Sequence, residues 1–514
     1  MKKPGLELRT VLRGGGLSGL FQILGYGVSL AAGVVAARVV GAQTLGVFSV
    51  AFSAVYIAGG ALVLGADRWI LKQVSILSSA GDRAEIIRRM GAALAAVLIP
   101  CIGLMCYYMI ARPQIGSRFF PELPGVDQAL FLLVPALPFI CLIPLLSMGL
   151  TGLGRPQLQI LASPIIDGFC RVFFLLIFII WLSRLEAISL AAACGFGAAA
   201  IFLALCLRRR MASFPRPGPL AKKSGYLAIS RDFISFSAFI STSSIFNLVI
   251  AQSDILAAGY FLAPDQVGIY RVVKGLGTMA GLAGAMFSGA AAASIARLCA
   301  QGDRDQAGAV FAVTSRIMLR LSGLILVVFM GASEILLAVY GPEFTPGANA
   351  LRVLAVGMFV AAAMGPTENI LAVLGKEWIV LANGLIKGLI LIPLLWLLVP
   401  RLGVMGAALA LALMTGIMNI LAMLQIRIVF GFTPDARASL GRGLLAAAAG
   451  SILALALARL TPIFFQGISA LIWTSLLSAL AFIVVLKKLE PRRTSLASLR
   501  DFVSSLTEHG PVRK

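Results

Sequence analysis

The sequence of 514 residues is poor in charged residues and contains a single histidine, His509. Charged residues make up 12% of the chain and hydrophobic ones 60%, which leaves too little polar surface for a soluble domain. One histidine excludes a histidine-based triad and a histidine-rich metal site, so we predict neither catalytic residues nor a metal. The mean hydropathy of +0.97 predicts a membrane protein instead.

Other chemical signatures are missing as well. The seven cysteines contain no CxxC pair and fall in apolar stretches or at their ends, which predicts free thiols instead of structural disulfides. The phosphate-binding pattern GxxxxGK[ST] does not occur, so this polypeptide is not expected to use ATP. The first residues, "MKKPGLELRTVLRGGG", lack a cleavable signal pattern and are predicted to be a retained, basic lead-in.

Apolar runs of about 20 residues recur along the whole chain, and each is long enough to cross a hydrocarbon core of roughly 30 Å. We therefore predict an all-α polytopic membrane protein with fourteen transmembrane helices. Their predicted ranges are 16–37, 46–66, 90–111, 127–149, 164–182, 188–207, 233–254, 267–291, 321–340, 351–374, 379–400, 404–426, 440–458 and 467–486.

The net charge of +22 is unevenly distributed. Most Lys and Arg residues fall on one side of the predicted membrane, with the densest clusters at 208–231 and in the tail from Lys487. This asymmetry predicts that both chain ends are cytoplasmic. Anionic lipid headgroups explain the excess positive charge better than nucleic acid does.

Two stretches of the sequence recur about 221 residues apart. "TLGVFSV" (44–50) resembles "QVGIYRV" (266–272), and each is followed by a Gly-Asp-Arg triplet, in "SSAGDRAE" and "CAQGDRDQ". Farther on, "LTGLGRPQLQILASPIIDG" (150–168) resembles "LAVLGKEWIVLANGLIKG" (371–388). We predict two six-helix lobes related by a parallel pseudo-twofold repeat, followed by two extra helices.

This repeat divides the chain into five parts. They are an N-lobe at 1–207, a basic cytoplasmic linker at 208–232, a C-lobe at 233–430, the last two helices within 431–486, and a basic cytoplasmic tail at 487–514.

The number of helices and two further stretches carry a family resemblance. The stretches are "DILAAGYFLAPDQVGIYRVVKG" and "VYGPEFTPGANALRVLA". The chain resembles the multidrug/oligosaccharidyl-lipid/polysaccharide (MOP) exporter superfamily, and within it the Wzx-type polysaccharide-biosynthesis flippases. The resemblance implies a MATE/MurJ-like fold and alternating access. It also implies a cationic cavity for a lipid-linked sugar, an undecaprenyl-pyrophosphate oligosaccharide.

Charged residues inside a bilayer are costly and therefore mark candidate sites. Cations suit a pyrophosphate, and an acid that binds H⁺ or Na⁺ could couple transport to a gradient. The predicted substrate-binding cations are Arg38, Arg171, Arg271, Lys274 and Lys387. The predicted ion-coupling acids are Asp167, Glu368 and Asp254; beyond such an ion, no cofactor is predicted.

Structural explanations compete with these roles. Asp167 and Arg171 are four residues apart on one helix and could neutralise each other. Arg38, Arg271 and Arg352 lie close enough to the external interface to reach headgroups.

Asp254 and Glu334 are predicted near outer helix ends, in contact with solvent. Glu368 is predicted to lie deep in its span and follows Pro366, which is predicted to break the helix and free backbone carbonyls. Gly277 and Gly281 have the spacing of close helix packing.

The sequence is consistent with three functions. The first is a flippase for surface polysaccharide (O-antigen, capsule or exopolysaccharide) synthesis, whose partners would be glycosyltransferases and a polysaccharide polymerase. The second is a multidrug or organic-cation antiporter of the same fold, whose cargo would need a more acidic cavity. The third, a membrane glycan polymerase or other enzyme, is disfavoured because the longest external stretch, 112–126, has one Glu and no His.

Overall fold

The computed structural model describes residues 5–80, 82–112, 114–155, 157–212, 226–432, 437–464 and 467–489, which contain α-helices and no strand. Parts of the predicted linker (213–225) and tail (490–514, with His509) lie outside these residues. The helices are α1 (Gly5–Val63), α2 (Ala66–Ala80), α3 (Arg83–Ala111), α4 (Ile115–Phe119), α5 (Val126–Leu133), α6 (Leu137–Gly152), α7 (Gln157–Ile160), α8 (Gly168–Phe178), α9 (Arg184–Ala212), α10 (Tyr226–Phe261), α11 (Pro264–Met279), α12 (Leu282–Ala300), α13 (Arg304–Tyr340), α14 (Ala348–Ala363), α15 (Thr367–Val373), α16 (Glu377–Leu402), α17 (Val404–Phe430), α18 (Arg437–Phe464) and α19 (Gly467–Leu489).

Ten helical stretches within the described ranges are long and apolar enough to cross a membrane, and three shorter apolar helices accompany them. The predicted all-α polytopic fold is thereby confirmed, while the number fourteen stays a prediction. The first stretch, Leu24–Val63, overlaps the first two predicted spans. Its backbone breaks at Gly41, where φ is 81°, a value that glycine adopts without steric cost.

The two Gly-Asp-Arg triplets have the same local structure. Asp82 accepts a hydrogen bond from the backbone N–H of Glu85 at 3.1 Å, and Asp303 accepts one from Gln306 at 3.1 Å. Each aspartate thus caps the first turn of a long helix, α3 in one repeat and α13 in the other. The sequence repeat is therefore also a repeat of structure.

The second pair of repeated stretches forms matching helix ends. Gly154 and Gly375 have φ angles of 79° and 75°. The next residue in each copy donates its backbone N–H five positions back, Arg155 to Leu150 and Lys376 to Leu371, both at 3.0 Å. This is the glycine-terminated helix end that requires a left-handed residue, and it explains why the glycine recurs.

The first pair of repeated stretches meets in a reciprocal contact. A Cβ atom at Gly46 of α1 would overlap the carbonyl oxygen of Pro264, and one at Gly268 of α11 would overlap the carbonyl oxygen of Ala42. Gly46 and Gly268 are equivalent in the repeat, as are Ala42 and Pro264. The two helices therefore cross at backbone contact about a local pseudo-twofold axis, and only glycine allows this approach.

The chain divides into two compact units, one formed by 25–271 and the other by 1–24 with 272–514. The predicted lobes are separated by the linker at 208–232 instead. The unit boundary therefore falls about 40 residues after the end of that linker. Contacts of α10 and α11 with α1 and α2 explain the difference: Ser53 donates to Gln252 at 3.1 Å, and Trp69 packs edge-on against Phe233 at 5.4 Å. The lobe boundaries were inferred from the sequence repeat, and they stay a prediction.

Each unit has its own apolar core. In the unit 25–271, Trp69, Ile70, Leu145 and Leu150 are almost fully buried. In the unit that contains 272–514, α13 packs against α14, α18 and α19. The two helices predicted to follow the repeat are thus present as α18 and α19. They lie against α13, where the Phe482 ring of α19 packs so closely on Gly323 that a Cβ there would lie 2.9 Å from the ring.

Gly277 packs closely against Leu354 of α14, where a Cβ would overlap its side chain. The predicted role of Gly277 in helix packing is confirmed. Gly281 does not continue the same helix, because it is the N-cap of α12, where α11 has already ended.

Candidate substrate-binding and ion-coupling residues

Asp167 and Arg171 form an ion pair at the start of α8. Arg171 Nε donates to Asp167 Oδ1 at 2.7 Å, and the two side chains are 28% and 13% exposed, in the order Arg171 and Asp167. The chain enters α8 through a π-helical segment, Leu161–Asp167, that contains Pro164. Proline lacks the N–H that an α-helix uses, which favours a widened turn there. The ion pair that the four-residue spacing allowed is therefore present in the structure.

The pair lies between α8 and α9, within the unit 25–271. Gly195 of α9 leaves the space, since a Cβ there would approach Arg171 Cγ and Asp167 Oδ1 to 2.6 Å. The Arg171 guanidinium lies over the Phe196 ring at 4.4 Å and over the Phe52 ring at 5.6 Å. A cation over aromatic faces keeps its charge at lower cost when partly desolvated. Sequence reasoning missed these three neighbours, because no local pattern links them to Arg171.

We expect Gly195→Ala to displace the Asp167–Arg171 pair, because the added methyl group occupies the position that both side chains now approach. Gly197→Ala is the matched control two residues along α9, where the nearest atom to a Cβ is a Phe139 ring carbon at 3.7 Å. Overpacking typically costs about 1–3 kcal/mol. Thermal unfolding of the purified variants should therefore show a lower midpoint for Gly195→Ala than for Gly197→Ala. Equal midpoints would contradict the close packing.

The other predicted cations are distributed over both units. Arg38 is exposed on α1, and Arg271 and Lys274 are partly exposed on one face of α11, three residues apart. Arg38 and Arg271 belong to the unit 25–271, whereas Lys274 and Lys387 belong to the other. Lys387 is half-buried in α16. Their joint participation in one site stays a prediction.

The prediction that Asp254 contacts solvent is wrong. Asp254 is 1% exposed, and its Oδ2 accepts a hydrogen bond from the Tyr270 hydroxyl at 2.6 Å. The predicted span ended at residue 254, but α10 continues to Phe261, and Tyr270 of α11 covers the acid. Asp254 therefore links α10 to α11 inside the unit 25–271.

Two further acids have exposed side chains. Glu334 is 65% exposed and pairs with Arg352, whose Nη2 lies 3.0 Å from Glu334 Oε1. Glu368 is exposed in the first turn of α15, and Pro366 is the N-cap that separates this helix from α14. The predicted helix break before Glu368 is confirmed. No group of acids, cysteines or histidines in the described part of the chain has the arrangement of a metal site.

A family model described as "Polysaccharide biosynthesis protein" matches residues 11–293, more than half of the chain. The chain belongs to this family. The match covers both members of the first repeated pair and the Asp167–Arg171 pair. It confirms that the chain is a member of a polysaccharide-biosynthesis family, as the resemblance implied. A search of the curated proteins found no match.

Solved structures show the fold of this family member. A structure described as lipid II flippase MurJ, inward closed conformation, is 13% identical, with a TM-score of 0.70 over 95% of this chain and 99% of that one. An inward-facing MATE multidrug resistance transporter of the MOP superfamily is 13% identical, with a TM-score of 0.63 over 79% and 94%. A MOP superfamily transporter from Pyrococcus furiosus, described as having a binding pocket of reverse polarity, is 14% identical, with a TM-score of 0.58 over 84% and 98%. At these identities the likeness shows the fold alone: a multi-pass membrane protein of the MurJ/MATE type.

Proposed function

We propose that this polysaccharide-biosynthesis family member is a flippase for a lipid-linked oligosaccharide. The cargo would be an undecaprenyl-pyrophosphate-linked repeat unit, moved across the bacterial inner membrane by alternating access, with both chain ends in the cytoplasm. The observation that carries the proposal is the family match over 11–293. The likeness to MurJ supports it, because MurJ is described as a lipid II flippase and has the same fold.

The charges on the transmembrane helices favour an anionic cargo. We assign Arg38, Arg171, Arg271, Lys274 and Lys387 to recognition of the diphosphate, since guanidinium and ammonium groups bind phosphate oxygens with charge-assisted hydrogen bonds. Cations outnumber the acids Asp167, Glu368 and Asp254 in this set. A multidrug antiporter of the same fold would need the opposite balance to bind organic cations.

Among the three candidate coupling acids, the surroundings favour Glu368. Asp167 is neutralised by Arg171, and Asp254 is enclosed beneath Tyr270. Glu368 is exposed in the first turn of α15, beside the break at Pro366, and an acid on such an interrupted helix suits a site that binds H⁺ or Na⁺. We therefore assign ion coupling to Glu368 and a structural role to Asp254.

The place of the protein in a reaction sequence follows from this cargo. Glycosyltransferases on the cytoplasmic side would supply the lipid-linked repeat unit. A polysaccharide polymerase on the other side would consume it during synthesis of a surface polysaccharide. The flippase itself breaks no covalent bond and needs no catalytic residue.

We expect Lys387→Ala to reduce glycan export at least 10-fold in cells that lack their own flippase and carry this gene instead. Loss of one charge-assisted hydrogen bond to phosphate costs roughly 1.5–3 kcal/mol, or about 10- to 100-fold in binding. The measurement is surface polysaccharide per cell, normalised to the amount of protein in the membrane fraction.

Arg401→Ala is the matched control, since Arg401 is an exposed cation in the last turn of the same helix. It should leave export unchanged. Wild-type export by Lys387→Ala would remove Lys387 from the binding set. If the unaltered protein restored no glycan but lowered the accumulation of an organic-cation dye, the antiporter function would replace the flippase.

A further inference from the structure

A second group of cations surrounds a cavity of about 530 Å³ in the unit 25–271, where α9 ends. Its lining consists of three arginines, one amide, one aliphatic side chain and one thiol: Arg155, Gln157, Leu158, Cys206, Arg209 and Arg210. No acidic residue is among them. These residues are separate from the candidate cations discussed above, and the proposed function makes no use of them.

The walls of the cavity are held in place by packing. Arg155 follows the left-handed Gly154 and donates its backbone N–H to Leu150 at 3.0 Å, which fixes the turn between α6 and α7. Leu150 packs in one apolar cluster with Ala162 and with Leu203 of α9. Arg209 and Arg210 lie two turns beyond Leu203, in the last turn of the same helix. The arginines of the turn and of the helix end are therefore brought together by the fold.

General rules explain arginines at this position only in part. Cations are favoured at helix C-termini and on cytoplasmic ends of transmembrane helices. The other repeat shows that the fold itself does not require them. At the offset of about 221, Arg155 corresponds to Lys376, but Arg209 corresponds to Phe430. Phe430 stacks on Phe432 at 5.9 Å, so this place belongs to an apolar cluster in the second repeat.

An exposed apolar strip on α9 leads to the cavity. Ile201 and Leu205 are 58% and 51% exposed, and Arg209 follows at the same spacing of four residues on the same helix face. In a membrane helix, an exposed aliphatic strip contacts acyl chains. A ligand with an acyl chain along this strip would place its headgroup at the guanidinium groups, which match phosphate oxygens in geometry and charge.

We propose that this arginine cavity binds the phosphate-bearing headgroup of a membrane lipid. The headgroup would lie among Arg155, Arg209 and Arg210, with the acyl chains along Ile201 and Leu205. The inference depends on the predicted cytoplasmic position of the α9 end and not on the proposed cargo. Two lipids share the required chemistry, a resident anionic phospholipid and a polyprenyl diphosphate.

Native mass spectrometry of the full-length purified chain can test this proposal, with phosphatidylglycerol and phosphatidylcholine of identical acyl chains as probes. We expect the unaltered protein to retain phosphatidylglycerol preferentially. Arg155→Gln combined with Arg209→Gln should weaken that binding roughly 10- to 30-fold, as each arginine near a membrane surface contributes about one tenfold step or less.

Arg208→Gln combined with Arg427→Gln is the matched control. Both residues are exposed cations at helix ends predicted to be cytoplasmic, and neither lines the cavity. Equal lipid binding by the two double variants would overturn the proposal. So would binding of inorganic pyrophosphate at the cavity without any lipid preference. Displacement of phosphatidylglycerol by a polyprenyl diphosphate would support the site and identify the cargo-type lipid as its ligand; no displacement would identify the resident phospholipid.

Cys206 provides a readout that needs no substitution. It lines the cavity and is partly exposed, whereas Cys106 of α3 is an exposed thiol outside it. Peptide-resolved maleimide labelling should show slower modification of Cys206, relative to Cys106, in phosphatidylglycerol than in phosphatidylcholine. The same relative rate in both lipids would contradict occupation of the cavity. This result is independent of glycan export, so a failed flippase assay leaves it unaffected.

Discussion

Replacing Gly46 or Gly268 by alanine is expected to prevent the chain from forming its native helix packing. A methyl group at either position overlaps a backbone carbonyl oxygen, of Pro264 in one case and of Ala42 in the other. A backbone atom cannot rotate away as the end of a side chain can, so α1 and α11 would have to separate. We expect a loss of about 3 kcal/mol or more, at the upper limit of ordinary overpacking.

The measurement is the yield of monodisperse protein from membranes, together with its thermal unfolding midpoint. Gly103→Ala in α3 is the control, because no atom lies within 4 Å of a Cβ there. Alanine should be neutral or stabilising by about 1 kcal/mol at such a helix position. The repeat adds a further requirement: Gly46→Ala and Gly268→Ala should have similar effects, since their contacts are equivalent. A Gly46→Ala variant as stable as Gly103→Ala would refute the backbone crossing.

The sequence predicted the repeated stretches that form this crossing but not the crossing itself. The recurrence of Gly46 as Gly268 was visible as a repeated sequence pattern, as was that of Asp82 as Asp303. The partners Ala42 and Pro264 were not visible, because which helix faces which is decided by tertiary packing. Repeated turns and caps can be found in a sequence, whereas the contacts between the repeats require the structure.

The same distinction explains the outcome for the charged residues. Asp167 and Arg171 were predicted as a pair because four residues form one turn of a single helix. The burial of Asp254 was missed because the helix continues past the predicted end of the span. Its partner Tyr270 lies on another helix, in a stretch that the sequence singled out for its repeat and its family resemblance and not for a contact with Asp254. The arginine cavity was also missed, since Arg155 and Arg209 come from separate elements.

We expect substitution of the Asp167–Arg171 pair to separate its structural role from its role in binding cargo. Arg171→Ala leaves a carboxylate that is 13% exposed without its ion-pair partner, in contact with α9. Breaking a fully buried pair costs about 3–5 kcal/mol, and the partial exposure of this pair reduces the expected loss to roughly 1–3 kcal/mol. Asp167→Ala should cost less, because Arg171 keeps its stacking on Phe196.

The double variant, Asp167→Ala with Arg171→Ala, removes both charges and should recover most of the lost thermal stability. Glycan export decides between the two roles. If Arg171 binds the diphosphate, the double variant lacks that cation and loses about 1.5–3 kcal/mol of binding. Export should then stay at least 10-fold below that of the unaltered protein, although the thermal stability returns. Recovery of export together with stability would show that the pair only holds α8 against α9.

Arg171→Lys refines this result, because it keeps the positive charge but loses the planar group that stacks on Phe196 and can bind phosphate through two N–H groups. A binding role for the guanidinium predicts a stable Arg171→Lys protein with export between those of the unaltered chain and the double variant. A purely structural ion pair predicts full export by Arg171→Lys, since an ammonium group can still neutralise Asp167. Export by these variants is compared at equal amounts of membrane-inserted protein. The comparison therefore shows whether Arg171 acts through its charge, its planar geometry or its packing.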